Sequence, residues 1–491
     1  MLFNSFVFLF AFLPVTFAGF FLLARLGPAW AAAWLTAASF FFYSWWSAEY
    51  LWLLTASIAF NYACGRAIAA ATARADKTVA RRWLVFALAG NLVALGYYKY
   101  ANFFVTNVAA LGGFEWTLQS IILPLGISFF TFTQIAFLVD AYQGRVRETN
   151  PLHYALFVTY FPHLIAGPIL HHAEMMPQFA RPETYRVSAA NVAVGLTIFA
   201  IGLAKKVMIA DPVGAYARPV FDAAAAGLPV TTALAWSGAL AYTLQLYFDF
   251  SGYSDMAIGL SRLFGVKLPL NFHSPYKAEN ITEFWRRWHM TLSRFLRNYL
   301  FIPLGGFRRS AARRLAALMG TMFLGGLWHG AGWNFVVWGV AHGVLLAVNH
   351  AWRSFRQSRG QDLKQTTPVG RAVAIGVTFA AVVATMVLFR AADLASAGVL
   401  LKAMAGGGGG TGSVPAAAWQ WIVGLLAIVW FAPNTQQLMA RAEPALAVPP
   451  GTVPGSGLWR PSVACALATA LMLSVAIAHL HRQSEFLYFQ F

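Results

Sequence analysis

The chain is built from long apolar runs separated by short polar or basic stretches. Runs of roughly 20 mostly apolar residues are long enough to cross a bilayer as helices. They fall near 2–24, 28–47, 50–70, 83–99, 119–142, 153–170, 188–210, 233–263, 315–350, 371–390, 416–436 and 461–480. The stretch 315–350 is long enough for two, so the pattern predicts about 11–13 membrane segments. With interfacial helices added, the expected class is an all-α polytopic membrane protein. Pro14 interrupts the first run and is expected to kink or shorten it. That run has no basic n-region and no small-residue cleavage site, so it reads as a retained helix.

Composition closes off the soluble classes. Only 11% of the 491 residues are charged, against roughly 25% in soluble domains, too few to cover a water-facing surface. Disorder is excluded by 42 Phe, 18 Trp and 17 Tyr, which no solvated coil carries. Cys64 and Cys465 both lie in apolar runs, leaving neither a disulfide framework nor a cysteine metal site. The net charge of +18 points to basic cytoplasmic loops obeying the positive-inside rule, not to nucleic acid.

Three basic clusters set the expected topology: Arg66, Arg74, Lys77, Arg81 and Arg82; Arg286 through Arg314; and Arg353, Arg356, Arg359, Lys364 and Arg371. With all three cytoplasmic, both termini are outside, and Gly406–Gly410 falls in a flexible external loop. No stretch is long enough to fold alone as a soluble domain. The chain 1–491 therefore reads as one integral membrane domain, with residues 484–491 as an external aromatic tail.

Polar residues inside apolar runs cost about 2.5–3.5 kcal/mol each when charged, so they are functional candidates. Asp140 reads as a helix-end carboxylate at the interface. Asp249, Ser251, Ser254 and Asp255 interrupt another run, with Gly252 placed to break the helix between the two aspartates. They are either buried anchors or supports for reacting groups. In NITEFWRRWHMTLSRFLRNYLF, Phe284, Trp288, Leu292, Phe295 and Tyr299 recur at helical spacing, with Arg286, Arg287, Arg294 and Arg297 on other faces. This predicts a basic amphipathic helix in the cytoplasmic interface, with Glu283 paired to Arg287 one turn on. His289 lies within it.

In GGLWHGAGWNFVVWGVAHG, His329 lies among Gly325, Gly326, Gly330 and Gly332. Glycines there allow close backbone approach and unusual turns. A neutral histidine at the foot of a cavity suits a general base. His342 follows thirteen residues later, but no carboxylate or cysteine completes a metal set, and His171, His172 and Glu174 read as loop residues, so no metal is expected.

A histidine base with no nucleophilic Ser or Cys nearby points to direct transfer. His329 deprotonates a hydroxyl, which attacks an activated acyl group. The oxyanion would find donors among the Trp288 or Trp328 indoles, His289 and backbone amides near Gly330. A transporter or polymer-export channel could use the same cavity, but no matching pair of Gly/Pro-broken helices occurs in two halves.

The run FWRRWHMTLSRFLRNYLFIPLGG, followed by LWHGAGWNFVVWGVAHG, resembles the membrane-bound O-acyltransferases. MLFNSFVFLFAFLPV, LPLGISFFTFTQIAFLVDAYQG, FPHLIAGPI and LQLYFDFSGYSDMAIGL also resemble that family's bacterial polysaccharide branch, which includes the membrane subunit of alginate O-acetylation. The likeness covers nearly the whole chain. It implies many helices pinched into a thin partition, with a cytoplasmic tunnel for an acyl thioester and an external funnel toward the acceptor.

On this resemblance His329 is the catalytic residue and His289 lines the same site as a positioner. Trp288, Trp328, Asp249, Ser251, Asp255 and Asn334 are candidate lining residues. No cofactor is bound; the donor substrate is acetyl coenzyme A or an acyl carrier thioester, and Arg286, Arg287, Arg294 and Arg297 would attract its phosphates. The implied activity is O-acetylation of an exported or cell-wall polysaccharide (alginate-like, cellulose or peptidoglycan) from the bacterial inner membrane. A periplasmic transferase of the SGNH-hydrolase-like type would be the partner. D-alanyl transfer to teichoic acid is the rival within the family. Tyr488, in the tail SEFLYFQF, is either part of an aromatic anchor or an acyl relay.

Overall fold

The computed structural model describes residues 1–113, 121–307, 310–363, 367–447, 457–480 and 486–487. Arg308, Arg309, Lys364 and Tyr488 lie outside these. Every regular element among the described residues is a helix, as the period and length of the apolar runs require. Lys77–Gly112, Ala189–Ala225, Trp333–Ser358 and Pro368–Arg390 are long and apolar enough to cross a membrane. Shorter apolar helices, among them Ile127–Tyr142, Ala416–Phe431 and Val463–Ala478, occupy other expected runs. The long run 315–350 resolves into Ala311–His329 and Trp333–Ser358.

The described chain divides into two compact units. One comprises Met1–Leu203, Tyr253–Pro269 and Met439–Gln490; the other comprises Ala204–Gly252 and Leu270–Leu438.

In the first unit Pro14 sits at the second position of Leu13–Ala24, directly after a π-turn at Phe8–Phe12. The missing N–H is absorbed as a widened turn rather than a break. Phe3, Phe8, Phe12, Phe42 and Phe161 interlock with ring centroids 5.0–6.2 Å apart, mostly in tilted or edge-on geometry. Phe486 of the tail is buried edge-on against Tyr253 at 4.8 Å, and Tyr253 stacks on Phe3 at 4.9 Å.

Not every apolar run of this unit is a helix. In 153–170 the helix Pro151–Thr159 ends at Tyr160, and the chain continues in buried turns. Pro168 disfavours a helical Gly167, and a Cβ on Gly167 would lie 2.3 Å from the His163 Cα. The exposed backbone groups are satisfied internally: the Phe161 N–H donates to Ser39 Oγ at 3.1 Å, and the His163 ring donates to the Phe157 carbonyl at 2.9 Å. Irregular backbone at membrane depth is tolerated only when buried in this way. Asp140, expected at an interface, is buried, with Arg145 at 3.6 Å, His172 at 3.5 Å and His171 at 3.9 Å. His172, expected in a loop, begins the helix His172–Phe179.

Two further expectations are corrected. Gly252 does not break its helix: Thr232–Leu263 is continuous, because a single interior glycine costs only about 1 kcal/mol, less than the surrounding packing returns. The run 281–301 is not one amphipathic helix but Ile281–Arg287 and Met290–Leu296, interrupted at Trp288 and His289. Gly406–Gly410, expected as an external loop, is exposed and tied to its unit at one point, where the Gly409 N–H donates to the Val230 carbonyl at 3.2 Å.

In the second unit Ala311–His329 and Trp333–Ser358 cross backbone to backbone at Gly326 and Gly339, whose Cα atoms flank each other so closely that a Cβ on either would lie 2.9 Å from the other's Cα. The Gly339 Cβ would also meet the Met322 carbonyl oxygen at 2.3 Å. Small residues at such crossings permit the van der Waals contact that holds helices together in lipid. Gly339→Ala is therefore expected to destabilise by about 1–3 kcal/mol through overpacking. Gly376→Ala, where nothing lies within 4 Å of the new Cβ, is expected to be neutral or slightly stabilising. Thermal unfolding of the purified variants side by side checks the pair.

Candidate active site

His289 sits where a helix has been stopped. The Trp288 N–H makes the last helical bond, to the Phe284 carbonyl at 2.8 Å. Trp288 is then extended, and His289 adopts φ 44°, ψ 52°, a left-handed conformation in which His, Asn and Asp are the enriched non-glycine residues. The neighbouring segment holds the break open: the His273 N–H donates to the Arg287 carbonyl, and the Met290 N–H to the Asn271 carbonyl, each at 2.9 Å. Asn280 caps Ile281–Arg287 by accepting from the Glu283 N–H at 3.0 Å. The Asn271 side-chain oxygen accepts from the Thr291 hydroxyl at 2.9 Å and from the His289 ring at 3.1 Å. Locally strained backbone of this kind persists only when its surroundings over-determine it, and it concentrates at functional sites.

His289 is 1% exposed. Phe250 packs edge-on to its ring at 4.9 Å and Trp328 at 6.2 Å. Trp328 in turn lies 4.9 Å from His329, so one indole links the two histidines predicted from sequence. His329, the last residue of its helix, is also walled by Trp338 at 4.9 Å and Phe389 at 5.1 Å. The glycines after it are extended (φ −167° at Gly330, −158° at Gly332), so they serve space rather than unusual backbone. A Cβ on Gly330 would strike the Phe335 ring at 2.2 Å. Asn334 donates to the Ala391 carbonyl at 3.0 Å, which ties the segment after His329 to the end of the helix that carries Phe389.

The remaining candidates fall in different places. Trp288 is buried against Phe272 and Phe284. Asp249 is buried in an ion pair with Lys206 at 2.7 Å; Lys206 also reaches Asp211 at 2.9 Å. Ser251 is buried in the same unit, while Asp255 and Ser254 are buried residues of the other. Arg287 forms the expected bond to Glu283, at 3.0 Å from Nε and 2.6 Å from a terminal nitrogen. Arg286 and Arg297 are exposed and Arg294 is half-buried. His342 accepts from the Trp285 indole at 3.3 Å within an aromatic stack. No group of three potential metal ligands comes together among the described residues.

Sequence reasoning missed Asn271 and Lys206. Asn271 had one faint signal, an uncharged polar residue between Leu270 and Phe272. Lys206 lies inside the apolar run 188–210, beside a second lysine, Lys205, and the acidic partners that make it buried are set by the fold.

The sequence profile of the membrane-bound O-acyltransferase family matches residues 114–389. A peptidoglycan O-acetyltransferase of Helicobacter pylori is 45% identical over 437 residues, covering 83% of this chain and 80% of that protein. A probable alginate O-acetylase of Azotobacter vinelandii is 40% identical over an alignment of 521 positions that spans all of both chains. A teichoic acid D-alanyltransferase of Streptococcus thermophilus is more distant, 27% identical over 286 residues, 55% of this chain and 69% of that protein. With a profile match over more than half its length and relatives at this identity, the chain belongs to the membrane-bound O-acyltransferase family.

Proposed function

We propose that this membrane acyltransferase carries acetyl groups from a cytoplasmic thioester across the bacterial inner membrane for O-acetylation of an exported or cell-wall polysaccharide. His329 is the general base and His289 the positioning residue. The observation that carries this reading is the single indole, Trp328, which meets two buried imidazoles edge-on, one ending a helix and one at a break between two others. The sequence around His329 carries no serine or cysteine nucleophile, which suits direct transfer.

The chemistry balances as follows. The His329 imidazole takes the proton of an acceptor hydroxyl as its oxygen bonds to the thioester carbonyl carbon. The tetrahedral oxyanion collapses, the C–S bond breaks, and the leaving thiolate recovers the proton from the imidazolium. His329 ends its helix, and the partial negative charge of a helix C-terminus stabilises an adjacent imidazolium. The apolar walls of Trp328, Trp338 and Phe389 keep water, a competing nucleophile, from the acyl group.

Acetyl transfer is favoured over D-alanyl transfer by the names and the coverage of the more similar relatives. Acetyl coenzyme A or an acyl carrier thioester is the donor. Arg286 and Arg297, both exposed, are the better placed of the four arginines to draw in its phosphates, since Arg287 is engaged with Glu283. Both termini face the periplasm, where a transferase of the SGNH-hydrolase-like type completes delivery. Purified protein given acetyl coenzyme A should release free thiol in a His329-dependent manner; release that is unchanged in His329→Ala would overturn the assignment.

Tyr488 is the proposed relay, its phenol taking the acyl group on the external side. Two residues earlier, Phe486 is buried against Tyr253. Tyr488→Phe is expected to abolish polymer acetylation in cells while protein level and thermal stability stay unchanged. Full acetylation in that variant would exclude the relay.

A further inference from the structure

Asn271 offers its side-chain oxygen to three groups at once: the backbone N–H of Thr291 at 3.3 Å, the Thr291 hydroxyl at 2.9 Å and Nδ1 of His289 at 3.1 Å. The first of these settles the chemistry of the other two. A backbone N–H can only donate, so the side-chain atom facing it is the amide oxygen and not the amide nitrogen. That oxygen carries no hydrogen. Nδ1 of His289 must therefore be the donor, with its proton on that nitrogen.

A neutral imidazole has one N–H, so its other nitrogen then carries a lone pair. The surroundings favour the neutral ring: His289 is 1% exposed and faced by Phe250 and Trp328, and moving a charge from water into such apolar surroundings is costly. The Asn271 backbone carbonyl adds a fourth contact by accepting from the Met290 N–H at 2.9 Å. The two residues that follow His289's left-handed turn, Met290 and Thr291, are thus tied to the same asparagine that reads its ring.

We infer that Asn271 is a positioning residue that holds the His289 proton on Nδ1 and so presents the Nε2 lone pair as a hydrogen-bond acceptor for an O–H or N–H of the substrate. His289 cannot then be an oxyanion donor in its neutral form. That role falls to the indoles and backbone amides, and His289 instead orients a substrate hydrogen while His329 removes the reacting proton. The inference rests on the two-histidine reading of the site proposed above.

The test is nitrogen-15 NMR of histidine-labelled protein, with His289 assigned by its loss in His289→Gln, run beside thioester-dependent acyl transfer. The wild type should show His289 as the Nδ1–H tautomer. Asn271→Leu, which removes the acceptor, should shift that tautomer and lower kcat on the order of 10²-fold. Asn271→Asp, which keeps an oxygen at the same place, should keep the tautomer and restore most of the rate. Thr291→Val removes another partner of the same oxygen and should change neither.

A wild-type Nε2–H signal would overturn the inference, as would an Asn271→Leu loss of rate with the tautomer unmoved, which marks a purely structural asparagine. If Asn271→Leu does not fold, the wild-type spectrum still decides. Full activity in His289→Gln together with a wild-type Nδ1–H signal would instead overturn the two-histidine reading, and with it any use for the tautomer.

Discussion

Replacing His329 with glutamine is expected to cut acyl transfer by about 10²- to 10⁴-fold, the range that a positioned general base supplies. Glutamine is the informative choice. It approximates the ring's volume among Trp328, Trp338 and Phe389, so the walls of the site stay in place, but it has no lone-pair nitrogen to take a proton. Alanine would add a cavity to the lost chemistry, and a buried ring-sized deletion alone costs several kcal/mol of stability. Agreement between the two variants in kcat, with only the alanine form losing thermal stability, separates base from packing.

His289→Asn is expected to be milder. Asparagine tolerates the left-handed backbone at 289 (φ 44°) as few other residues do, and it retains an acceptor oxygen, though on a shorter side chain. The outcome that sinks this assignment is a His329→Gln enzyme working within about threefold of wild type, a difference under about 0.7 kcal/mol in barrier.

These residues were unequally legible in the sequence. His329 and the glycines around it declared themselves because an ionisable group in an apolar run has few structural excuses. The helix pair that carries His329 followed from run length alone. His289 was visible as a residue but not as a conformation. The helical spacing of Phe284, Trp288, Leu292 and Phe295 continues across it as though the helix were unbroken, and local periodicity cannot register that residues 271–273 pair with 287–290 from outside.

The same limit explains the run at 153–170, whose apolar length predicts a membrane helix but which is helical only to Thr159. Burial and helicity coincide in lipid-facing segments, where the backbone must satisfy itself, and part company where protein surrounds the chain. Gly252 erred in the opposite direction: a local helix-breaking tendency of about 1 kcal/mol was outweighed by the packing of a 32-residue helix. Asn271, whose significance lies wholly in which donors it meets, left almost nothing for a linear reading to find.

The largest effect on stability is expected at Lys206, a residue with no place in the reaction. Its ammonium is buried between Asp249, itself buried, at 2.7 Å and Asp211 at 2.9 Å, in a π-helical turn at Lys205–Ala210. Removing one member of a buried ion pair leaves the other's charge uncompensated and costs about 3–5 kcal/mol. Lys206→Met should reach that range, because it strands two carboxylates while keeping the length of the side chain. Asp249→Asn should cost less, since the lysine keeps Asp211 and the amide still accepts a hydrogen bond.

That order, Lys206→Met worse than Asp249→Asn, is what unfolding of the detergent-purified proteins should show. The reverse order would mean that Asp249 is needed for something other than balancing the lysine. Phe250, the next residue along the helix, packs on His289, so the pair at Lys206 also fixes the register of one wall of the site. In Lys206→Met/Asp249→Leu, which makes the lysine and its fully buried partner apolar and leaves only the partly exposed Asp211 charged, most of the stability should return relative to Lys206→Met, as it does when a buried pair is replaced by apolar groups. If transfer returns with it, the ion pair is scaffolding for Phe250. If stability returns and transfer does not, Asp249 acts on the reaction itself, and its place among the candidate lining residues is earned.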